Sequence, residues 1–367
     1  MNCLVIGGSG PTGHFIIDGL IKRGHRVVML NRGLHPIAET PQDIEHIVCD
    51  PYDAAALTAV LGARSFDLCI TTYGRLRAIA EIMQSRVGHF ISVGGAPAYR
   101  GYMNAELYEP SGLPVPIAED APLVDSPEQD EKGYRIVKTE QALFRCIPQA
   151  THFRYPMVYG PYQLVPREWC IVKRIVDKRP HIIVPDGGLT LSTFGYAENL
   201  AHAILLAVDK PASARGQIYN CGDEMCLSLR QVIDVIAKAL GHDWEVISMP
   251  ATYALPALPM LMQPQTTHRV LDIAKLKQHL AYTDVVAPAD ALAYTAHWLL
   301  ENPPQPGGTE EMVLQDPFDY AAEDKLVAAW KDVKRQMPGE SIFKELPGVG
   351  MSYSGPGGRV RSQAEFK

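Results

Sequence analysis

The first 32 residues, MNCLVIGGSGPTGHFIIDGLIKRGHRVVMLNR, decide the fold. An apolar run, CLVI, leads into a glycine-rich loop, then into an amphipathic stretch that stops at Gly24, and then into a second apolar run, RVVML. This order predicts a strand, a tight loop, a helix and a second strand. The three glycines of the loop have separate roles in such a unit: Gly7 allows the tight turn, Gly10 lets a pyrophosphate approach the backbone, and Gly13 lets the helix pack closely on the sheet. We therefore predict that residues 1–32 bind a dinucleotide.

The spacing of these glycines, Gly-x-x-Gly-x-x-Gly, resembles the extended and atypical branches of the short-chain dehydrogenase/reductase superfamily, the group labelled NAD-dependent epimerase/dehydratase. The resemblance implies an α/β fold, a Rossmann-type doubly wound parallel sheet with a smaller C-terminal α/β substrate lobe. We expect the NAD(P)-binding domain in residues 1–160, with returning segments near 190–225. The substrate lobe is expected mainly in 161–300, and a C-terminal helix and flexible tail in 301–367.

The end of the second strand predicts the cofactor. A carboxylate there would bind the ribose 2′-OH of NAD, but the chain has Asn31 and Arg32 and no acid before Glu39. The guanidinium of Arg32 can bind a 2′-phosphate, so we expect NADP(H), with NAD(H) as the alternative. The expected cofactor contacts, the later ones implied by the resemblance, are Gly7, Gly10, Pro11, Thr12, Gly13, Asn31, Arg32, Asp50, Thr72, Lys138, Pro156 and Val158.

A second motif, Tyr134-Arg-Ile-Val-Lys138, predicts the catalytic residues. Tyr134 and Lys138 are four residues apart, so on a helix they share one face. A phenol has an ordinary pKa of about 10 and is a poor base at neutral pH, but a neighbouring ammonium favours the phenolate. In the superfamily that the motif resembles, the tyrosine is the acid/base and the lysine also binds the nicotinamide ribose. The resemblance therefore implies that Tyr134 and Lys138 are catalytic.

One position departs from the superfamily pattern. Its extended members carry a Ser or Thr at the end of strand five, usually four residues before an aromatic residue. Counting back from Tyr99, that position is Gly95 in this chain. Ser92, Thr72, a backbone N–H or a water molecule are the candidates to replace the missing hydroxyl.

Composition limits the class of protein. The chain has 367 residues, of which 47% are apolar, so it can bury a large core. Its net charge of −7, without a long basic run, argues against a nucleic-acid partner. Because no apolar stretch reaches about 18 residues and the N-terminus already reads as a strand, we expect no membrane segment and a cytoplasmic protein. The seven cysteines lack the spacing of a disulfide framework or a zinc site, so no metal is expected.

These observations favour an NADP-dependent oxidoreductase that transfers hydride between nicotinamide and a carbonyl/alcohol of a small molecule; the resemblance also allows a homodimer. A first alternative is an NAD(P)-dependent sugar-nucleotide epimerase or dehydratase. It would need basic residues for a diphosphate, and the candidates in the lobe form no convincing clamp: Arg167, Lys173, Arg174 and Arg179. A second alternative is a non-catalytic nucleotide-sensing or RNA-associated protein, because the resemblance includes the branch of chloroplast stem-loop-binding proteins. Gly95 favours this alternative, whereas the Tyr134/Lys138 pair and the acidic charge oppose it.

Overall fold

A computed structural model describes residues 1–34, 41, 44–72 and 74–348. Glu39 and residues 349–367 of the predicted flexible tail lie outside the described residues. The described strands are β1 Asn2–Ile6, β2 Arg26–Asn31, β3 Glu45–Val48, β4 Phe66–Thr71, β5 Val87–Gly95, β6 Thr151–Tyr155, β7 Met157–Tyr159, β8 His181–Pro185, β9 Phe194–Tyr196, β10 Ile218–Asn220 and β11 Glu245–Met249. The described helices are α1 Gly13–Lys22, α2 Ala54–Leu61, α3 Leu76–Met83, α4 Glu131–Cys146, α5 Trp169–Val176, α6 Ala197–Asp209, α7 Pro211–Ala214, α8 Leu229–Ala239, α9 Leu258–Leu261, α10 Ala274–Leu280, α11 Pro288–Glu301, α12 Thr309–Met312 and α13 Tyr320–Gln336.

The central sheet is parallel and has the strand order β10-β6-β5-β4-β1-β2-β3. The chain runs outward from β1 to β3, returns to the other side of β1 at β4, and continues through β5 to β6. The direction of winding therefore changes between β1 and β4. In open α/β sheets, ligands bind outside the carboxyl ends of the strands at such a point. The predicted doubly wound, Rossmann-type α/β fold is confirmed.

Helices cover both faces of the sheet. On one face, α1 and α6 pack together, with Ile17 and Ile204 fully buried between them and the strands. On the other face, α2, α3 and α4 surround a core that includes Leu57, Ile79 and Leu143. Burial on both faces explains why the run CLVI in β1 is apolar at every position, as is typical of a central parallel strand.

Two small parallel sheets lie outside the central one, β7 with β9 and β8 with β11. Helix α8 begins with a capping box, in which Ser228 and Gln231 satisfy each other's backbone N–H groups, and it packs against α5 and α11. Strand β10 returns to the central sheet beside β6.

Contacts divide the chain into two units, residues 1–317 and 318–367. The second unit contains α13, whose N-cap residue Asp319 accepts the N–H of Ala322. The finer division of the first unit into a dinucleotide domain and a substrate lobe stays a prediction. Among the helices that the structure describes, none combines the length and the apolar character needed to cross a bilayer.

Candidate functional site

A cavity of about 320 Å³ lies beside the glycine loop at the carboxyl end of the sheet. Gly7 and Gly8 have φ angles of 114° and 80°, in the region that favours glycine. A Cβ on Gly13 would lie 2.3 Å from the carbonyl group of Gly8, so α1 begins in direct contact with the loop. A Cβ on Gly10, which lines the cavity, would meet no atom within 4 Å. The loop is thus closed against the helix and open toward the cavity, an arrangement that suits a pyrophosphate at a helix N-terminus. We refer to this space as the dinucleotide cavity.

Most of the predicted cofactor contacts line this cavity: Gly7, Gly10, Pro11, Thr12, Asn31, Arg32, Thr72 and Val158. Gly13 instead supports the loop through its contact with Gly8. Asp50, Lys138 and Pro156 are not among the residues that line it. The carboxylate of Asp50 accepts the N–H of Tyr52 at 3.0 Å and so serves the turn that follows β3.

Asn31 shapes the cavity through hydrogen bonds within the protein. Its amide nitrogen donates to the carbonyl of Gly7 at 3.1 Å, and its oxygen accepts the N–H of Gly33 at 2.8 Å. The same oxygen lies 2.9 Å from Nε2 of His46. Because these bonds join the ends of β1 and β2, the side chain of Asn31 fixes the geometry of the glycine loop. The charged residue next to Asn31 is Arg32.

The sequence interpretation missed several residues of the cavity: Ser9, Gly33, Leu34, Val93, Tyr155, Gln163 and Leu164. Tyr155 has the clearest chemistry, because it is buried at the carboxyl end of β6 with its hydroxyl beside Thr12. Burial raises the pKa of Tyr155 well above its ordinary value, so the hydroxyl keeps its proton as a hydrogen-bond donor. The available signal in the sequence was its place at the end of residues 151–155, a run typical of a strand.

Tyr134 and Lys138 share one face of α4, with Nζ of Lys138 lying 5.1 Å from the Tyr134 ring centroid. That face does not line the dinucleotide cavity. Tyr134 packs against a cluster that includes Val124, while Lys138 is exposed and donates to Gln141 at 3.2 Å. The pair therefore forms, but the structure does not bring it to the cavity, and its catalytic role stays a prediction.

A second cavity, of about 670 Å³, opens between α3 and α4, and we call it the α3–α4 cavity. Val93 lines both cavities, so the two adjoin. On α4 its lining includes Lys132, Ile136 and Glu140, which repeat at a spacing of four residues. Since Tyr134 and Lys138 fall two residues out of step with this series, they occupy a different side of the helix.

The two side chains that could replace the missing Ser or Thr hydroxyl, Ser92 and Thr72, lie in different surroundings. Gly95 ends β5, and Ser92 is fully buried within that strand, where its Oγ lies 2.8 Å from Nδ1 of His152. Thr72 lines the dinucleotide cavity. Of the two hydroxyl candidates, Thr72 therefore lies at the cavity, whereas Ser92 belongs to the interior of the sheet.

A buried ion pair connects α4 to the sheet. Arg154 donates to both carboxylate oxygens of Glu140, at 2.9 and 2.7 Å, and also to the hydroxyl of Tyr99 at 2.8 Å. The carboxylate of Glu140 also lies 3.4 Å from Nε2 of His152. Burial by itself would raise the pKa of Glu140, but the neighbouring His152 and the hydrogen bonds from Arg154 outweigh it and lower that pKa to about 2. Glu140 is thus a carboxylate with its charge already balanced inside the protein.

The four basic residues considered for a diphosphate clamp are engaged within the protein. Arg167 is buried against Glu168 at 2.8 Å, and its guanidinium covers the ring of Phe194. The same holds for the other candidates: Arg174 is buried against Asp316 at 2.6 Å, Lys173 pairs with Asp177 at 3.1 Å, and Arg179 lies 3.3 Å from His181. These four side chains therefore form no diphosphate clamp.

The fold and the dinucleotide cavity define a Rossmann-type α/β protein with a glycine loop of the dinucleotide-binding kind. Residues 133–222 match the model of the NAD dependent epimerase/dehydratase family. The predicted resemblance to the NAD-dependent epimerase/dehydratase group is therefore confirmed over these residues, and relatives named as enzymes bear out the predicted enzyme class.

Two curated relatives and one solved structure illustrate the similarity. Chloroplast stem-loop binding protein of 41 kDa b from Arabidopsis thaliana is 29% identical over 254 residues, which are 65% of this chain and 63% of that protein. UDP-N-acetyl-alpha-D-glucosaminuronate decarboxylase from Bacillus cytotoxicus is 23% identical over 82% of this chain and 98% of that protein. The structure of UDP-glucose 4-epimerase from Bifidobacterium longum in complex with NAD+ and UDP has a TM-score of 0.63 at 17% identity, covering 83% of this chain and 99% of that one. At this identity the structural match establishes the fold alone.

Proposed function

We propose that the protein binds NAD(P)(H) in the dinucleotide cavity and catalyses hydride transfer at a carbonyl/alcohol carbon of a sugar nucleotide. The observation that carries the proposal is the glycine loop, closed against α1 and open toward a cavity at the point where the winding of the sheet changes. A bound nicotinamide would supply or accept the hydride. The sugar-nucleotide substrate is inferred from the relatives, because the decarboxylase and the epimerase are each named for a UDP-sugar.

Binding is assigned to the residues that line the cavity. The backbone of Gly10 and the hydroxyl of Thr12 would hold the pyrophosphate at the start of α1. Arg32 would face the adenosine ribose and favour NADP(H) over NAD(H), because the end of β2 has no carboxylate for a 2′-OH. The epimerase structure contains NAD+, so the preference for NADP(H) needs its own test.

Replacing Arg32 with glutamine should weaken NADPH binding and spare NADH binding. The charge-assisted hydrogen bonds of a guanidinium to a phosphate contribute roughly 2 kcal/mol, so we expect the Kd for NADPH to rise about 30-fold. Fluorescence titration with both cofactors measures the change, with Arg145→Gln, an exposed arginine at the end of α4, as the control. An equal loss for NADPH and NADH would contradict the assignment.

The acid/base role that the motif predicts for Tyr134 is tested by removing its hydroxyl. Tyr134 lines neither the dinucleotide cavity nor the α3–α4 cavity, so we expect Tyr134→Phe to retain turnover within about threefold, whereas loss of a true general acid/base costs roughly 100-fold or more. The assay follows nicotinamide absorbance while UDP-sugars and simple ketones are added. A loss of 100-fold in kcat with unchanged cofactor Kd would support Tyr134 as the catalytic residue that the motif predicts.

A second candidate function is a non-catalytic nucleotide-binding protein associated with RNA. Two observations favour it: the position of Tyr134 and Lys138 away from the cavities, and the similarity to the plant protein named for stem-loop binding. The chain spans 63% of the length of that relative. Tight cofactor binding without turnover on any substrate, together with binding of an RNA hairpin, would favour this candidate over the enzyme.

A further inference from the structure

We propose that the α3–α4 cavity binds the phosphate groups of a small molecule, at a site separate from the glycine loop. Its volume of about 670 Å³ falls in the range of small-molecule sites, roughly 300–1,000 Å³. The cationic side chains that line it are Arg75, Arg77, Lys132 and Arg135. The one acid in the lining, Glu140, is already neutralised by Arg154. The cavity therefore has an uncompensated positive charge in a protein whose net charge is −7.

Part of this cationic lining is held in place. Nε of Arg77 donates to the hydroxyl of Thr139 at 3.0 Å, and Nη2 donates to the carbonyl of Arg135 at 3.0 Å. These bonds join the start of α3 to the middle of α4. Because these bonds already fix the guanidinium of Arg77, this side chain would lose less entropy on binding an anion than a mobile arginine would.

The other three cations have either no partner or a weak one. Over the part of the chain that the structure describes, the side chains of Arg75 and Lys132 form no ion pair or hydrogen bond. Arg135 lies 3.9 Å from Glu131, an exposed pair that contributes little. The positive charges gathered at this cavity repel one another. An anion with several oxygens would relieve that repulsion and accept hydrogen bonds from the N–H groups of these side chains.

A phosphorylated small molecule fits these observations better than RNA does. The cations surround one cavity, with Gly94 and the buried imidazole of His152 among its lining, whereas a nucleic-acid site needs a basic stripe along the surface. Arg167 and Arg174 are already paired with Glu168 and Asp316, whereas among the described residues the side chains of Arg75 and Lys132 at the α3–α4 cavity have no such partner. The site does not depend on the proposed function, but it would provide the diphosphate contacts that a sugar nucleotide requires.

The test is a calorimetric titration with inorganic pyrophosphate, carried out with saturating NADPH so that the glycine loop is filled. If NADPH does not bind, the same titration is done without cofactor on the Gly10→Ala variant, whose added methyl group obstructs the glycine loop. We expect wild-type protein to bind pyrophosphate and Lys132→Gln or Arg135→Gln to weaken it roughly tenfold, as expected for a lost charge-assisted hydrogen bond. Arg145→Gln, on the last turn of the same helix and outside the cavity, should leave the affinity unchanged.

Each other outcome overturns the inference. Equal weakening by Arg145→Gln would mean a diffuse attraction to the surface, and loss of binding with NADPH or in Gly10→Ala would place pyrophosphate at the glycine loop. If the protein bound an RNA hairpin, if this binding depended on Lys132 and Arg135, and if pyrophosphate did not displace the hairpin, the cavity would be an RNA site. The proposed function is tested separately. If the protein bound pyrophosphate in a manner that depends on Lys132 but did not bind NADPH, the proposed function would fail and this inference would stand.

Discussion

Gly10→Ala is expected to weaken NADPH binding by at least about 100-fold, close to 2.7 kcal/mol, while the protein stays folded. The reason is steric and lies entirely on the ligand side. A Cβ at position 10 would meet no protein atom within 4 Å, and the φ angle of Gly10 is not in the left-handed region. The added methyl group would therefore enter the dinucleotide cavity, where a pyrophosphate must approach the backbone.

Gly13→Ala provides the contrast. Its Cβ would lie 2.3 Å from the carbonyl group of Gly8, so the loop or the helix must shift and stability should fall together with binding. Fluorescence titration and thermal unfolding of both variants separate the two effects. If Gly10→Ala bound NADPH with wild-type affinity, the dinucleotide would lie elsewhere and the proposed function would lose its main support.

Arg154→Met is expected to destabilise the protein by about 3–5 kcal/mol at pH 7, because it leaves the Glu140 carboxylate buried without its main partner. Urea unfolding measures the loss. The control is Arg23→Met, which breaks a similar bidentate pair with Asp209 at the surface and should cost about 1 kcal/mol or less. A loss at Arg154 no larger than that at Arg23 would contradict the expectation.

The pH dependence gives an independent check on the same pair. In the wild type the pKa of Glu140 is held at about 2, below its ordinary value, so the pair stabilises the fold above about pH 4.5 and the stabilisation disappears as the pH falls toward 2. Without Arg154 the buried carboxyl protonates more readily, so the difference between variant and wild type should shrink as the pH falls from 7 to about 4.5. The double variant Arg154→Met, Glu140→Gln should recover much of the lost stability, since no buried charge remains unpaired.

The sequence by itself determined the fold class and the position of the dinucleotide cavity. Both follow from local physics: Gly7, Gly10 and Gly13 are spaced for one loop at one helix start, and the apolar runs on each side are strands that need no distant contact to be recognised. The prediction of Arg32 at the end of β2 has the same origin, because strand, turn and cavity are neighbours along the chain.

Only the tertiary structure decided which side of α4 meets a cavity. The spacing of Tyr134 and Lys138 places them on one face, but a spacing of four does not say which face. That choice comes from the Glu140–Arg154 pair, which anchors α4 to β6 and turns Lys132 and Ile136 toward the α3–α4 cavity. The same limit applies to Arg174, which meets Asp316, 142 positions away along the chain, so its burial and its partner depend on packing between distant segments.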